Sequence, residues 1–290
     1  MNNVKIGINQ IDWNDIWRKG AIFFGGKADK VTSWNRAAPI FNTNYNKSDY
    51  GKKVTKRLKL RADWTVLDVG AGTGLLALPM AKACKHVTAL DGSSEMLRYL
   101  KQNAEREGVS NITYVNKLIG DTTIGVDIPK HDVVIVSRSM GWEHDVRTFL
   151  KKMDEAAKRY AYLTWGAQER TFDIAMYNAI GRPYGETREY IVLYNLLYQM
   201  GIRANIEIFE CTQKPISYPS IEDAITRLRG RFERMQMNRE LTPQEETKLQ
   251  KFLETNLTQT SDGTLTFNGS GMSRHALIWW DKKLTTNPSY

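Results

Sequence analysis

The residues best equipped for chemistry stand together in Val66-Leu67-Asp68-Val69-Gly70-Ala71-Gly72-Thr73-Gly74. The apolar run up to Val69 predicts a strand and the residues from Leu75 a helix, so the three glycines occupy a strand-to-helix bend. Glycine lets the backbone turn sharply and approach a ligand closely, and the free N–H groups of a helix start favour an anionic group. Such a bend does not by itself name its ligand. Read from Gly72, GTGLLA fits the G-x-G-x-x-A form of dinucleotide sites, with Asp91 at about the acidic distance those sites use. Asp68 discriminates between the possibilities. A carboxylate two residues before the first glycine repels a pyrophosphate but suits a ligand that carries its own ammonium group. Asp91, which closes the apolar run from His86, is placed to accept hydrogen bonds from a ribose diol.

S-adenosylmethionine has that make-up: an ammonium, a carboxylate, a sulfonium and an adenosine, with no phosphate. The stretch VLDVGAGTG followed by VTALDGSSEML resembles the class I S-adenosylmethionine-dependent methyltransferases, over residues 60–165. The resemblance implies a Rossmann-like seven-stranded, mostly parallel sheet with one antiparallel strand. It also carries cofactor positions onto Asp68, Gly70, Ala71, Gly72, Gly74 and Asp91. The end of the fourth strand, which faces the methionine part in that family, falls on Ser137, Arg138 and Ser139, and Met96 and Gly92 are expected to line the adenosine. The chain departs from the family after the third strand: where many relatives have Gly-Asp-Ala beside the adenine, it has Asn116-Lys117-Leu118. Subclasses are narrowed by the same fourth-strand end. It lacks the Asn/Asp-Pro-Pro-aromatic motif of enzymes that methylate adenine or glutamine nitrogens. Lys85 follows Cys84 and Glu210 precedes Cys211, so neither cysteine matches the cytosine C5 nucleophile. The carboxylate of metal-assisted catechol-type enzymes is also missing there, so no metal is expected.

Methyl transfer is an in-line displacement at a sulfonium carbon, for which positioning and removal of water supply most of the rate. A base is needed only where the acceptor must lose a proton. Two candidates for catalytic roles follow the fourth strand: His144 as a general base and Arg138 as the holder of an anionic acceptor. Trp34, with Trp13, Trp17 and Tyr45, is a candidate to close over the sulfonium by cation–π contact. The expected activity is methyl transfer to a small-molecule acceptor. RNA or protein as acceptor, and a cofactor-binding protein without catalysis, are the alternatives.

The elements that must position these groups follow from pattern. The chain has 290 residues, 41% hydrophobic and 25% charged, the balance of an ordinary globular protein. No apolar run approaches the length that spans a bilayer, and the start lacks a signal-peptide pattern, so a cytoplasmic protein is expected. Cys84 and Cys211 form no CxxC pair, which argues against a disulfide scaffold. The net charge of +9 is spread along the chain; its densest cluster, Arg227, Arg229, Arg231 and Arg234, lies on the polar faces of a helix, so nucleic acid is not the favoured partner. Strands alternate with helices from Trp64 to Gly166, which predicts a parallel sheet covered on both faces. Ser93 or Ser94 is expected to cap the helix after the second strand, and Thr242 with Glu245 to form a capping box. GIRANIEIFEC and HALIWW read as later strands, the second closing the sheet. The expected organisation is an N-terminal helical cap over 1–60, the α/β core over 61–166, and helical lid insertions with the final strands over 167–290.

Overall fold

The computed structural model describes residues 7–20, 27–43, 48–141, 143–167, 171–183, 189–212, 217–235, 240–267 and 272–284. Three helices lead in: α1 (Trp13–Lys19), α2 (Lys27–Thr43) and α3 (Tyr50–Arg57). An alternating series follows: β1 (Thr65–Val69), α4 (Ala77–Ala81), β2 (His86–Leu90), α5 (Ser94–Arg106), β3 (Ile112–Val115), β4 (His131–Ser137), α6 (Val146–Ala156) and β5 (Ala157–Gly166). The later elements are α7 (Thr171–Ile180), α8 (Tyr190–Gln199), β6 (Asn205–Thr212), β7 (Ser217–Tyr218), α9 (Ile221–Met235), α10 (Pro243–Asn256), β8 (Leu257–Gln259), β9 (Leu265–Phe267) and β10 (Met272–Asp281). Seven strands form one sheet in the order β3-β2-β1-β4-β5-β10-β6. The first five are parallel, and β10 runs antiparallel to both of its neighbours. The expected Rossmann-like sheet is present, and the HALIWW run supplies its antiparallel strand.

Parallel strands buried on both faces read as continuous apolar runs, and alternate residues serve opposite sides. Leu67 and Val69 of β1, with Val134 and Val136 of β4, pack beneath α1, α6 and α8. Val66 of β1, with Val133 and Ile135 of β4, packs beneath α3, α4 and α5. The N-terminal helices are thus built into the core. Trp17 is fully buried and its Nε1 donates to the Glu143 carbonyl at 2.8 Å. Asn14 donates to Asp145 and accepts from the Arg147 amide, which pins α1 to the start of α6. Ser93 caps α5 through the Met96 amide, as the sequence implies. No helix among the described residues is long and apolar enough to cross a membrane.

A second cluster stands apart from this core. Helices α7, α9 and α10 surround Met176, Tyr177, Leu228, Leu249 and Leu253, and a small antiparallel sheet, β7-β9-β8, which the sequence did not announce, closes it. Of the helices expected as a lid, α8 packs instead into the main core through Val192, Leu193, Leu196 and Leu197. The remaining module joins the sheet where β5 ends, where β6 ends and where β10 begins. Those three points share one edge, as the pairings of His275 with Gly166 and of Met272 with Thr212 show. It is the carboxyl edge of the parallel strands. In the basic cluster, Arg227 pairs with Asp223 and Arg229 with Glu246; the side chains of Arg231 and Arg234, like the predicted Asn268-Gly269 turn, lie outside the described residues.

One carboxylate ties the module together. Glu245 completes the capping box with Thr242 at the start of α10 and grips Arg182 through two hydrogen bonds of 2.8 Å. The Arg182 side chain is only 4% exposed. Its guanidinium holds the Glu245 carboxyl down at about 2, so this stabilisation is complete above the ordinary glutamate range and is lost only as pH falls through about 2. Glu245→Ala strands a buried cation and removes a cap, and is expected to destabilise the protein by about 3 kcal/mol in a urea titration at neutral pH. A change below about 0.5 kcal/mol, the range of ordinary surface substitutions, would contradict this account.

Candidate active site

The bend after β1 is built by glycine at positions where a side chain has no room or would take up ligand space. Gly70 has φ +73°, and a Cβ there would stand 2.3 Å from the Ser139 Cβ. Gly72, with φ +55°, faces open space and lines the cavity described below. The amides of Gly70 and Ala71 both donate to the Leu90 carbonyl, and that of Gly72 donates to Asp91 Oδ2 at 2.8 Å. The first three amides of the bend are therefore occupied internally, which the sequence did not reveal. Asp91 Oδ1 accepts from the Ser93 amide, also at 2.8 Å. Asp91 thus fastens the bend to the start of α5 while keeping lone pairs toward the cavity.

The cavity measures about 340 Å³, within the range of small-ligand sites. The sequence candidates Asp68, Gly70, Ala71, Gly72, Asp91, Met96, Ser137, Arg138 and Trp34 all line it. Three candidates do not. Gly74, with φ +97°, packs between Leu78 and Leu100, where it lets α4 and α5 approach. Gly92 abuts Leu118, whose Cδ2 would lie 2.4 Å from an added Cβ. His144, in the turn before α6, is not among the lining residues. Of the aromatic candidates, Trp17 and Trp13 belong to the core beneath α6 and α8, while Tyr45 lies outside the described residues.

Ser139, at the fourth-strand end named from the sequence, lines the cavity too, while Phe41, Thr73, Leu75 and Leu76 were missed. Phe41 follows Trp34 by seven residues, two helical turns, and their rings meet edge to face at 5.2 Å. That spacing was a usable signal. Helix α2 carries both rings and is held over the cavity by side-chain amides. Asn35 Oδ1 accepts from Ser93 Oγ at 2.6 Å, and Asn42 Oδ1 accepts from Asn103 Nδ2 at 2.8 Å. Where relatives carry Gly-Asp-Ala, Asn116 donates to the carbonyls of Asp91 and Gly92 and so braces the turn after β2.

Asp68 carries the electrostatics. It is 2% exposed, and its Oδ2 is buried without a hydrogen-bond partner. Burial, reinforced by repulsion from Asp91, pushes its carboxyl up to about 7. Burial raises Asp91 as well, but its two amide hydrogen bonds favour the charged form. The Ala77 amide only partly offsets these effects on Asp68. A buried acid with one oxygen unpartnered on the wall of a cavity fits a cationic ligand group such as the ammonium of S-adenosylmethionine.

Comparison with known proteins agrees. Residues 66–159 match the methyltransferase domain family. An uncharacterized protein of Haemophilus influenzae is 31% identical over 81% of this chain and 82% of its own length. Protein arginine N-methyltransferase 1 of rice (Oryza sativa) is 42% identical over 32% of this chain, but that match covers only 24% of the rice protein. Among solved structures, the YcgJ protein of Bacillus subtilis superposes with a TM-score of 0.52 over 80% of this chain and 97% of its own, at 16% identity.

The titration of Asp68 has two measurable consequences. An ammonium ligand requires the carboxylate, so S-adenosylmethionine affinity is expected to fall about tenfold between pH 7.5 and pH 6, read by calorimetry with proton uptake or release followed in two buffers. A flat profile would rule the role out. In the ligand-free protein the sign is opposite: the folded value lies above the unfolded 3.8, so stability contributed by Asp68 is complete below about pH 4 and gone above about pH 7. Asp68→Asn is therefore expected to stabilise the ligand-free protein at pH 8, by up to about 4 kcal/mol. A sheet of this order, a glycine bend braced by Asp91 and the methyltransferase-domain match over residues 66–159 lead to one assignment: the chain belongs to the class I S-adenosylmethionine-dependent methyltransferase superfamily.

Proposed function

We propose that the protein transfers the methyl group of S-adenosylmethionine directly to a small-molecule acceptor. The observation that carries this reading is the size and cover of the cavity: about 340 Å³, roofed by Trp34 and Phe41 of α2, with the α7–α9–α10 module joined to the same edge of the sheet. Such a space suits a cofactor and a compact acceptor better than a polymer strand. We read the helices before residue 61 as a cap and the module as a lid over this edge, where α/β sheets bind ligands. The pairing of Arg227 and Arg229 with acids of their own module also weakens the case for a phosphate-binding face.

When bound, the cofactor supplies a methyl group on a positively charged sulfur, and no metal is required for its displacement. The residues of this chain bind and orient. Asp68 faces the ammonium, Asp91 the ribose diol, Met96 and the α2 rings the adenosine, and Ser137 the methionine part. Trp34 and Phe41 keep water from the transfer path, which strengthens every charge interaction inside. Arg138, next to Ser137 on the cavity wall, is the residue this reading gives to the acceptor. With His144 outside the cavity lining, no side chain in this reading acts as a general base, and the acceptor must present a nucleophile that is already deprotonated or loses its proton to water.

The test is calorimetric titration with S-adenosylmethionine and S-adenosylhomocysteine, joined to a turnover screen over small molecules, RNA and peptides. Micromolar cofactor binding with turnover of a small molecule is expected. Turnover only on RNA, with affinity falling steeply with salt, would replace the small-molecule reading, and binding without turnover on any acceptor would favour a non-catalytic role. Asp68→Ala is expected to weaken cofactor binding by about 10–100-fold, the worth of a charge-assisted hydrogen bond, while the melting temperature is maintained. Wild-type affinity in that variant would contradict the assigned role.

A further inference from the structure

We propose that Arg138, supported by Tyr50, is an anion clamp for the methyl acceptor, and that the acceptor is a small molecule bearing a carboxylate or phosphate group. The inference rests on the methyl-transfer reading above and narrows its substrate class. Arg138 is the only non-glycine residue with positive φ among the described residues, at +55°. L residues adopt that conformation at a cost, and strain of this kind persists only where the surroundings impose it. Here they do: the Arg138 amide donates to the Thr164 carbonyl at 3.2 Å, and the residues on either side, Ser137 and Ser139, line the cavity with it. The backbone twist aims the side chain away from the sheet and onto the ring of Tyr50, with Cζ 4.0 Å from the ring centroid.

Tyr50 is a fixed platform. It is 1% exposed, and its hydroxyl lies 2.8 Å from Ser137 Oγ and 2.6 Å from Thr164 Oγ1, which join α3 to the ends of β4 and β5. His275 packs edge-on against the same ring at 4.7 Å. A guanidinium resting on a ring face keeps its N–H edge free for a planar anion. No ion pair among the described residues is formed by Arg138, which is exposed at the cavity wall, whereas Arg57 pairs with Glu207 and Arg159 with Asp132. The cavity is therefore bipolar. Asp68 and Asp91 are its acids, and Arg138, just past the end of β4, is the one cation of its lining among the described residues. An anionic acceptor completes the charge pattern, because transfer discharges the sulfonium as the new bond forms and the methyl–sulfur electron pair returns to sulfur.

Arg138→Gly is the informative variant, since glycine suits the left-handed backbone and the protein is expected to melt within a few degrees of wild type. S-adenosylhomocysteine is titrated first into both proteins. Dissociation constants that agree within about threefold support an acceptor role, whereas a rise of about tenfold or more assigns Arg138 to the cofactor's own carboxylate and overturns the proposal. The S-adenosylhomocysteine-saturated proteins are then titrated with benzoate, inorganic phosphate and benzamide. Expected is binding of benzoate or phosphate that benzamide does not reproduce, that salt weakens, and that Arg138→Gly reduces about tenfold or more, with Tyr50→Phe intermediate. Benzoate and phosphate no tighter than benzamide, or unaffected by Arg138→Gly, overturn the clamp and leave the methyl-donor reading standing. Failure of the wild type to bind S-adenosylhomocysteine overturns both.

Discussion

A buried carboxylate held at the end of a sheet strand with one oxygen unpartnered is the constraint around which this protein is organised. Asp68 sits on β1 between β2 and β4, so its backbone belongs to the most buried part of the sheet. Desolvation raises the free energy of its charged form, and Asp91 raises it further. A side chain in water would relax away from both. Here the strand register forbids that, and the sheet holds the acid where a cationic ligand relieves the penalty. Asp91 contributes differently. Its two amide hydrogen bonds oppose the upward push of burial and fasten the glycine bend to the start of α5, so the two acids share a wall in different surroundings.

Around that wall the chain brings material from distant segments. Helix α2 arrives from the N-terminal side and is fastened to α5 by two asparagine amides. Helix α3 slides Tyr50 beneath the ends of β4 and β5, where three hydroxyls meet. The α7–α9–α10 module grows from the same edge, with its own apolar cluster and its own buried ion pair. The N-terminal segment is therefore structural as well as functional: α1 completes one face of the core, α3 completes the other, and only α2 is given over to covering the ligand edge.

The site carries features that work against stability. A buried acid with one unpartnered oxygen and an arginine in a left-handed conformation each raise the free energy of the ligand-free fold. Elsewhere the chain follows local preference closely, with Ser93 and Thr242 capping their helices and apolar strands alternating between the two faces. Departures from local preference that gather in one place are the pattern expected of a site shaped by ligands rather than by folding.

Short-range pattern made the central sheet, the bend and most of its lining legible before any coordinate was known. Periodicity of two and of 3.6 places strands and helices, and glycines flanked by acids at a strand end have few uses; Asp68 and Asp91 were reachable on those grounds, Ser137 through the family resemblance, and Phe41 would have been by helical spacing from Trp34. Partners separated by long stretches of chain left no such trace. Tyr50 touches residues 87 and 114 positions away, and nothing in YGKKVTKR distinguishes it from an ordinary aromatic on an amphipathic helix. The amides of the bend looked available and are occupied, His144 looked close to the chemistry and lies outside the cavity lining, and α8 looked like lid and is core. Local spacing encodes which face a residue presents, whereas what that face meets depends on how the sheet is ordered and where its edges fall, and both are properties of the folded chain.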